Sequence, residues 1–211
     1  MTGRDACAAA RANATYRRAH EHQSGLRNVG KLNAIIRDEE DARLPGLARQ
    51  ALQVLATQIE QIEAAVTVLE KQLMAWHKSN PVSQRLATIP GIGPIIATAI
   101  AAMVAEPSGF RSGREFAAWL GLVPRQNSTG GKNRLGGISK RGNQYLRRLL
   151  INGASANLLR SKATNADPWV IGLRRRRPSL VVAVALANKT ARIAWAVMHR
   201  QENYQRMATA A

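Results

Sequence analysis

Two adjacent hydroxyls, Ser128 and Thr129, lie in the glycine-rich stretch from Arg125 to Gly142. Five cations flank them (Arg125, Lys132, Arg134, Lys140 and Arg141), and the stretch contains no acid. Glycines such as Gly130 and Gly131 let a backbone approach a ligand closely and adopt positive φ, and consecutive loop amides can cradle an anion. A hydroxyl held in such a cradle can bind a phosphate, or attack one if a base or metal activates it. The same residues also read as a flexible, solvated basic loop. Ser139 and Ser155 are lesser rivals for a nucleophile, and a helical Ser155 reads as structural.

The charge of the chain favours the phosphate. Formal net charge is +18 over 211 residues, from 31 Lys and Arg against 13 Asp and Glu. From residue 80 onward there are 20 bases and four acids (Glu106, Glu115, Asp167 and Glu202), whereas residues 1–79 are close to balanced. A segment that basic repels itself and calls for a polyanionic partner, nucleic acid by default. No cationic amphipathic helix carries the bulky aromatics of a membrane-surface binder, so no membrane is expected. Cys7 stands alone, which excludes a disulfide framework or a cysteine-based zinc site. The N-terminus has no apolar signal core, and a cytoplasmic, nucleoid-associated location is the expectation.

The elements that must position these groups read as mainly α. Residues 1–40 have no sustained periodicity and are expected to be poorly ordered or marginally helical. Their His20 and His22 pair could bind metal, but reads better as solvated surface. Residues 41–79 carry Leu52, Leu55, Ile59, Ile62, Val66, Leu69, Leu73 and Trp76 at alternating spacings of three and four. That seam suits a coiled coil, with a second copy or with another helix of the same chain; a long amphipathic helix packed on its own domain is the alternative. The acids Asp38, Glu39, Glu40 and Asp41 read as solvated charge at a helix N-terminus. Ser79-Asn80-Pro81 ends the long helix.

Residues 80–205 are read as one domain, with residues 206–211 as a tail. Within it, residues 83–105 form a helix, a tight Pro90-Gly91-Ile92-Gly93 hairpin and a second helix opened by Pro94. That pattern resembles the helix-hairpin-helix of DNA-binding proteins, in which Gly91 and Gly93 would let backbone amides touch a phosphate. A purely structural hairpin is the plainer reading. Further helices are expected around Phe116–Leu120 (capped by Gly121), from about Asn143 to Leu159 with Arg147 and Arg148 near its start, and from Leu180 to about His199. The tetrad Arg174, Arg175, Arg176 and Arg177 reads as a loop that clamps phosphate or merely solubilises.

Several segments together resemble a known family. They are Ile89–Pro94, Phe110–Arg114, Phe116–Pro124, Gln126–Lys132, Leu135–Gly142, Tyr145–Leu150 and Val182–Trp195. Over about residues 40–205 the chain resembles the C-terminal half of insertion-sequence transposases of the 110/1111 type, which are RNA-guided serine recombinases. The resemblance implies a coiled coil and a C-terminal transposase domain whose serine attacks DNA to form a 5′-phosphoserine link. It also implies a RuvC-like nuclease domain with acids that hold magnesium, an element-encoded guide RNA, and paired subunits. Carried onto this sequence, the nucleophile is Ser128, with Thr129 as the fallback because related loops are often one residue shorter.

This chain departs from that pattern, because no β-rich stretch with spaced acids precedes residue 41. A serine hydroxyl is a weak nucleophile at neutral pH and needs an activator. The expectation is therefore a DNA-binding transposase domain that holds no metal of its own and is incomplete alone. A non-catalytic nucleic-acid-binding module is the alternative.

Overall fold

Leu, Ala and Ile at helical spacing, with Pro and Gly as punctuation, give a chain built almost entirely of helices. The computed structural model describes residues 29–41, 44–127, 135–160 and 167–205. It forms two compact units, residues 1–68 and residues 69–211.

In the first unit α1 spans Val29–Arg37, and α2 begins at Gly46 and runs to Ser79, crossing into the second unit. Arg49 is buried and donates to the Ile35 and Ile36 carbonyls at 3.0 and 3.2 Å and to the Asp38 and Asp41 carbonyls, satisfying the end of α1. The acidic run from Asp38 to Asp41 therefore follows a helix C-terminus rather than starting a helix, a correction to the sequence reading. The helix begins earlier, at Val29, and has already ended when the acids arrive. Glu60 ties α2 to α1 through Asn33 (3.2 Å) and Arg37 (2.5 Å). Along α2 the seam faces outward: Leu55, Ile59, Ile62, Val66, Leu69 and Trp76 are all exposed. Residues 1–28, with Cys7, His20 and His22, lie outside the described residues, as does the 206–211 tail.

In the second unit the expected break after Ser79 is present, and a new helix starts at once. Asn80 accepts the Ser83 amide at 2.9 Å, Pro81 takes the first helical position, and α3 spans Pro81–Ala87. His77 Nδ1 lies 2.7 Å from the buried Ser83 hydroxyl and fixes the corner. A six-residue turn leads to Pro94, which opens α4 (Pro94–Met103) with Gly93 as its cap. After a 3-10 turn at Pro107–Gly109, Ser112 accepts the Glu115 amide while the Glu115 carboxylate accepts the Arg111 amide at 2.7 Å. That reciprocal arrangement starts α5, Gly113–Trp119.

Two short strands follow, β1 (Pro124–Gln126) and β2 (Leu135–Ile138), antiparallel with Pro124 opposite Ile138 and Gln126 opposite Leu135. The sequence reading had a loop here. The remaining helices are α6 (Gln144–Arg160), α7 (Pro168–Arg174) and α8 (Ser179–Arg200). The central helix α8 packs on α3, α5, α6 and α7. Its Ala183, Ala187, Ala191 and Ala194 are almost fully buried, and such small side chains let neighbouring helices approach closely. Leu86, Ile100, Phe116, Leu120, Leu146 and Leu150 join Val182 of α8 in one core. By length and composition α8 could cross a membrane, but here its apolar stripe is the core of the domain.

Candidate nucleic-acid interface

The Ser-Thr stretch is entered and left through a stem whose geometry depends on glycine. Gly121, just past the end of α5, has φ +72°, and Gly142 has φ +90°. A Cβ on Gly121 would run into the Arg141 backbone, and one on Gly142 into the Trp119 carbonyl oxygen. Those close approaches bring the two ends of the stem together. The Lys140 amide donates to Gly121 O at 3.1 Å, the Ser139 amide to Val123 O at 2.8 Å, and the Asn143 amide to Trp119 O at 3.3 Å. The Asn143 carboxamide then accepts the Leu146 amide at 3.0 Å and starts α6. Lys140 itself holds φ +56°, an uncommon conformation for a residue with a side chain.

A residue that sequence reasoning gave no role also braces the stem. Asn188 on α8 donates its Nδ2 to Leu122 O at 3.0 Å, two residues before β1. It lies in the Val182–Trp195 segment that carries the family resemblance. The available signal was a neutral polar residue placed directly after the apolar run from Leu180 to Ala187.

The cations separate into three kinds. Arg125, Lys140 and Arg141 are exposed around the stem, with an Arg125 Nη2 donating to Ser139 O at 3.3 Å. Arg148 is exposed on α6. Arg147 is not: it is 7% exposed and its Nη1 donates to Leu120 O at 3.0 Å, at the end of α5. The sequence reading took Arg147 for a phosphate ligand. The structure gives it a structural hydrogen bond instead, because this side of α6 faces the core.

The tetrad also departs from a plain loop. Arg174 ends α7, its Nη2 donating to Leu158 O at 3.3 Å, and Arg176 Nε donates to Gly172 O at 3.2 Å; all four arginines remain exposed. The tetrad thus meets α6 near its C-terminus and the stem meets it near its N-terminus. From Arg147 to Leu158, at about 1.5 Å per residue, the two basic clusters are roughly 16 Å apart along the helix.

The helical hairpin of α3 and α4 offers a third feature. Gly91 has φ +90°, and a Cβ there would meet Gly153 O at 3.2 Å and Asn157 Cβ at 3.4 Å. Gly93 has φ −89° and open space around it, so neither a positive φ nor a close internal approach requires glycine there. Among the described residues, neither the Gly91 nor the Gly93 amide has an internal acceptor.

Ser128, Thr129, Gly130, Gly131, Lys132 and Arg134 lie outside the described residues. Ser155 donates its hydroxyl to Ile151 O at 2.9 Å, as a structural helical serine would. Among the described residues no three of His, Cys, Asp and Glu gather as metal ligands. Glu115 caps α5, and Asp167 caps α7 and pairs with Lys189 at 2.5 Å. These acids do not fit a magnesium site.

Residues 83–169 match the family described as "Transposase IS116/IS110/IS902 family". It is 50% identical over 169 residues to a "Probable family 20 transposase" of Pseudomonas aeruginosa, covering 79% of this chain and 50% of that protein. It is 40% identical to the "Transposase for insertion sequence element IS1111A" of Coxiella burnetii, covering 83% of this chain and 48% of that protein. A third relative, the "Transposase for insertion sequence element IS1328" of Yersinia enterocolitica, is 47% identical over 65% of this chain and 41% of that protein. The chain spans about half the length of these curated relatives.

Proposed function

We propose that this domain grips a DNA backbone and contributes Ser128 as the nucleophile of insertion-sequence transposition. The observation that carries the reading is the stem: strands and glycine contacts join residues 119–126 to residues 135–143, with Arg125, Lys140 and Arg141 exposed around them. A nucleophile must be held in a near-attack position, and the described residues on either side are themselves fixed by hydrogen bonds. In the reaction the Ser128 Oγ attacks phosphorus and the P–O3′ bond breaks. The products are a 5′-phosphoserine ester and a free 3′ hydroxyl. Arg125, Lys140 and Arg141 are suited to offset the charge that develops on the phosphoryl oxygens. The serine proton leaves to a base, which we assign to another part of the assembly, along with the acidic magnesium site of the family.

Backbone contacts from Arg148, the tetrad and the amides of Gly91 and Gly93 would hold the DNA, with a guide RNA choosing its sequence. The outward-facing seam of α2 would join two copies, or this chain and a longer relative. The test is covalent trapping. With a full-length relative, its guide RNA and magnesium, the chain should yield a protein–DNA adduct that Ser128→Ala abolishes and Thr129→Ala leaves intact. An adduct that survives Ser128→Ala and disappears in Thr129→Ala would move the nucleophile by one residue. DNA binding with no adduct under any of these conditions would favour the non-catalytic module.

A further inference from the structure

Beyond the serine stretch, the second unit has an open groove of about 940 Å³ between the start of α5, α7 and α8. Arg114, Lys189 and Arg192 line it, together with Trp169 and Trp195, and no acid is among its lining residues. The two tryptophans differ. Trp195 is fixed, with its Nε1 donating to Pro107 O at 3.0 Å and its ring stacked on His199 at 4.9 Å. Trp169 is 44% exposed, and the Lys189 ammonium sits 4.9 Å from its ring centre, held there by Asp167. Gly113 lets α5 close against the Arg192 backbone, which leaves the Arg114 and Arg192 side chains exposed beside the same groove.

Resting on the nucleic-acid reading above, we infer that this groove receives an unpaired nucleotide, with its base stacked on Trp169 and its phosphate held by Arg114 and Arg192. An exposed indole beside cations is the pairing that binds single strands: every base offers a π-face, and stacking adds to the backbone attraction. A paired base inside a duplex cannot present that face. Asn188 also lines the groove and bonds Leu122 at the foot of the stem, so the unpaired nucleotide lies close to the strand that leads to Ser128. The strand could be DNA opened at the reaction site or a single-stranded part of a guide RNA. The chemistry is the same.

The experiment measures binding of the full chain to oligothymidylate and oligouridylate of about 12 nucleotides, an abasic strand of equal charge, and a duplex. Trp169→Leu should weaken both base-bearing strands about 5- to 100-fold and leave the abasic strand and the duplex unchanged. Trp169→Phe, which keeps an aromatic face, should recover most of the loss. Arg192→Gln should weaken base-bearing and abasic strands alike. Whichever of the thymidylate or uridylate strands responds more to Trp169→Leu identifies the DNA or RNA source. Unchanged affinity of Trp169→Leu for both base-bearing strands would overturn the inference. So would an equal loss on the abasic strand, which would mean the change acts through packing. A wild-type chain that binds none of the four would instead sink the nucleic-acid reading itself.

Discussion

Arg147 and Arg148 are neighbours in sequence with opposite fates, and replacing each separately tests the structure directly. Arg147→Ala removes a guanidinium that donates to Leu120 O at 3.0 Å and that also lines the space where Gly121 closes on the stem. A hydrogen bond from a charged donor contributes about 1.5–3 kcal/mol, and a carbonyl left without its donor in a buried place costs about 1–3 kcal/mol. These terms overlap, and the lost aliphatic stem adds some packing. A destabilisation of about 2–4 kcal/mol is expected, a large part of the roughly 5–15 kcal/mol that holds a typical domain together. For a unit of this size, at roughly 3 °C per kcal/mol, Tm should fall by about 6–12 °C. Below that temperature the salt dependence of DNA binding should match the wild type. Arg148→Ala should do the reverse: Tm nearly unchanged, and the slope of log affinity against log salt reduced by about 0.9. Thermal unfolding and binding titrations at several salt concentrations read both effects. The structural assignment of Arg147 fails if its alanine variant keeps its Tm and loses one unit of salt slope.

The two hairpin glycines should separate in the same way. Gly93→Val sits at φ −89° with nothing near its Cβ, so helical content and Tm should hold while DNA affinity drops; unchanged affinity would refute the amide clamp. Gly91→Val must adopt φ +90° against Gly153, and should cost about 1–3 kcal/mol in urea unfolding whatever it does to binding. For the α2 seam, Ile59→Asp combined with Leu69→Asp should shift sedimentation from an assembled species to the monomer. A wild type that is already monomeric at micromolar concentrations would show that the seam does not join copies.

Several helix limits were legible because their signals are local, whereas no helix was expected at Pro168–Arg174. Asn80 before Pro81, Pro94 after Gly93 and Gly121 after Leu120 act within one turn of the chain, so their effects follow from residue type and order. The helical content, the break after Ser79 and the family resemblance could be read in this way. The acidic run was misplaced because a charge pattern does not reveal which end of a helix it adjoins; Arg49, 11 residues beyond Asp38 in sequence, decided that. The β1–β2 stem was read as a loop because three- and four-residue strands carry too little alternation, and pairing across an intervening stretch leaves no local mark.

Charge and chemistry show the same division. The sequence by itself determined that residues 80–211 are overwhelmingly cationic and that two hydroxyls lie among glycines, because composition and order do not depend on folding. Only the tertiary structure decided which cations remain available. Successive residues on a helix point about 100° apart, so Arg147 turned to the Leu120 carbonyl while Arg148 stayed in solvent. Gly91 meeting Gly153, Asn188 reaching Leu122 and Trp169 lying exposed beside Lys189 likewise join residues far apart in the chain. Burial depends on what packs opposite a residue, and that partner is fixed only once distant helices come together.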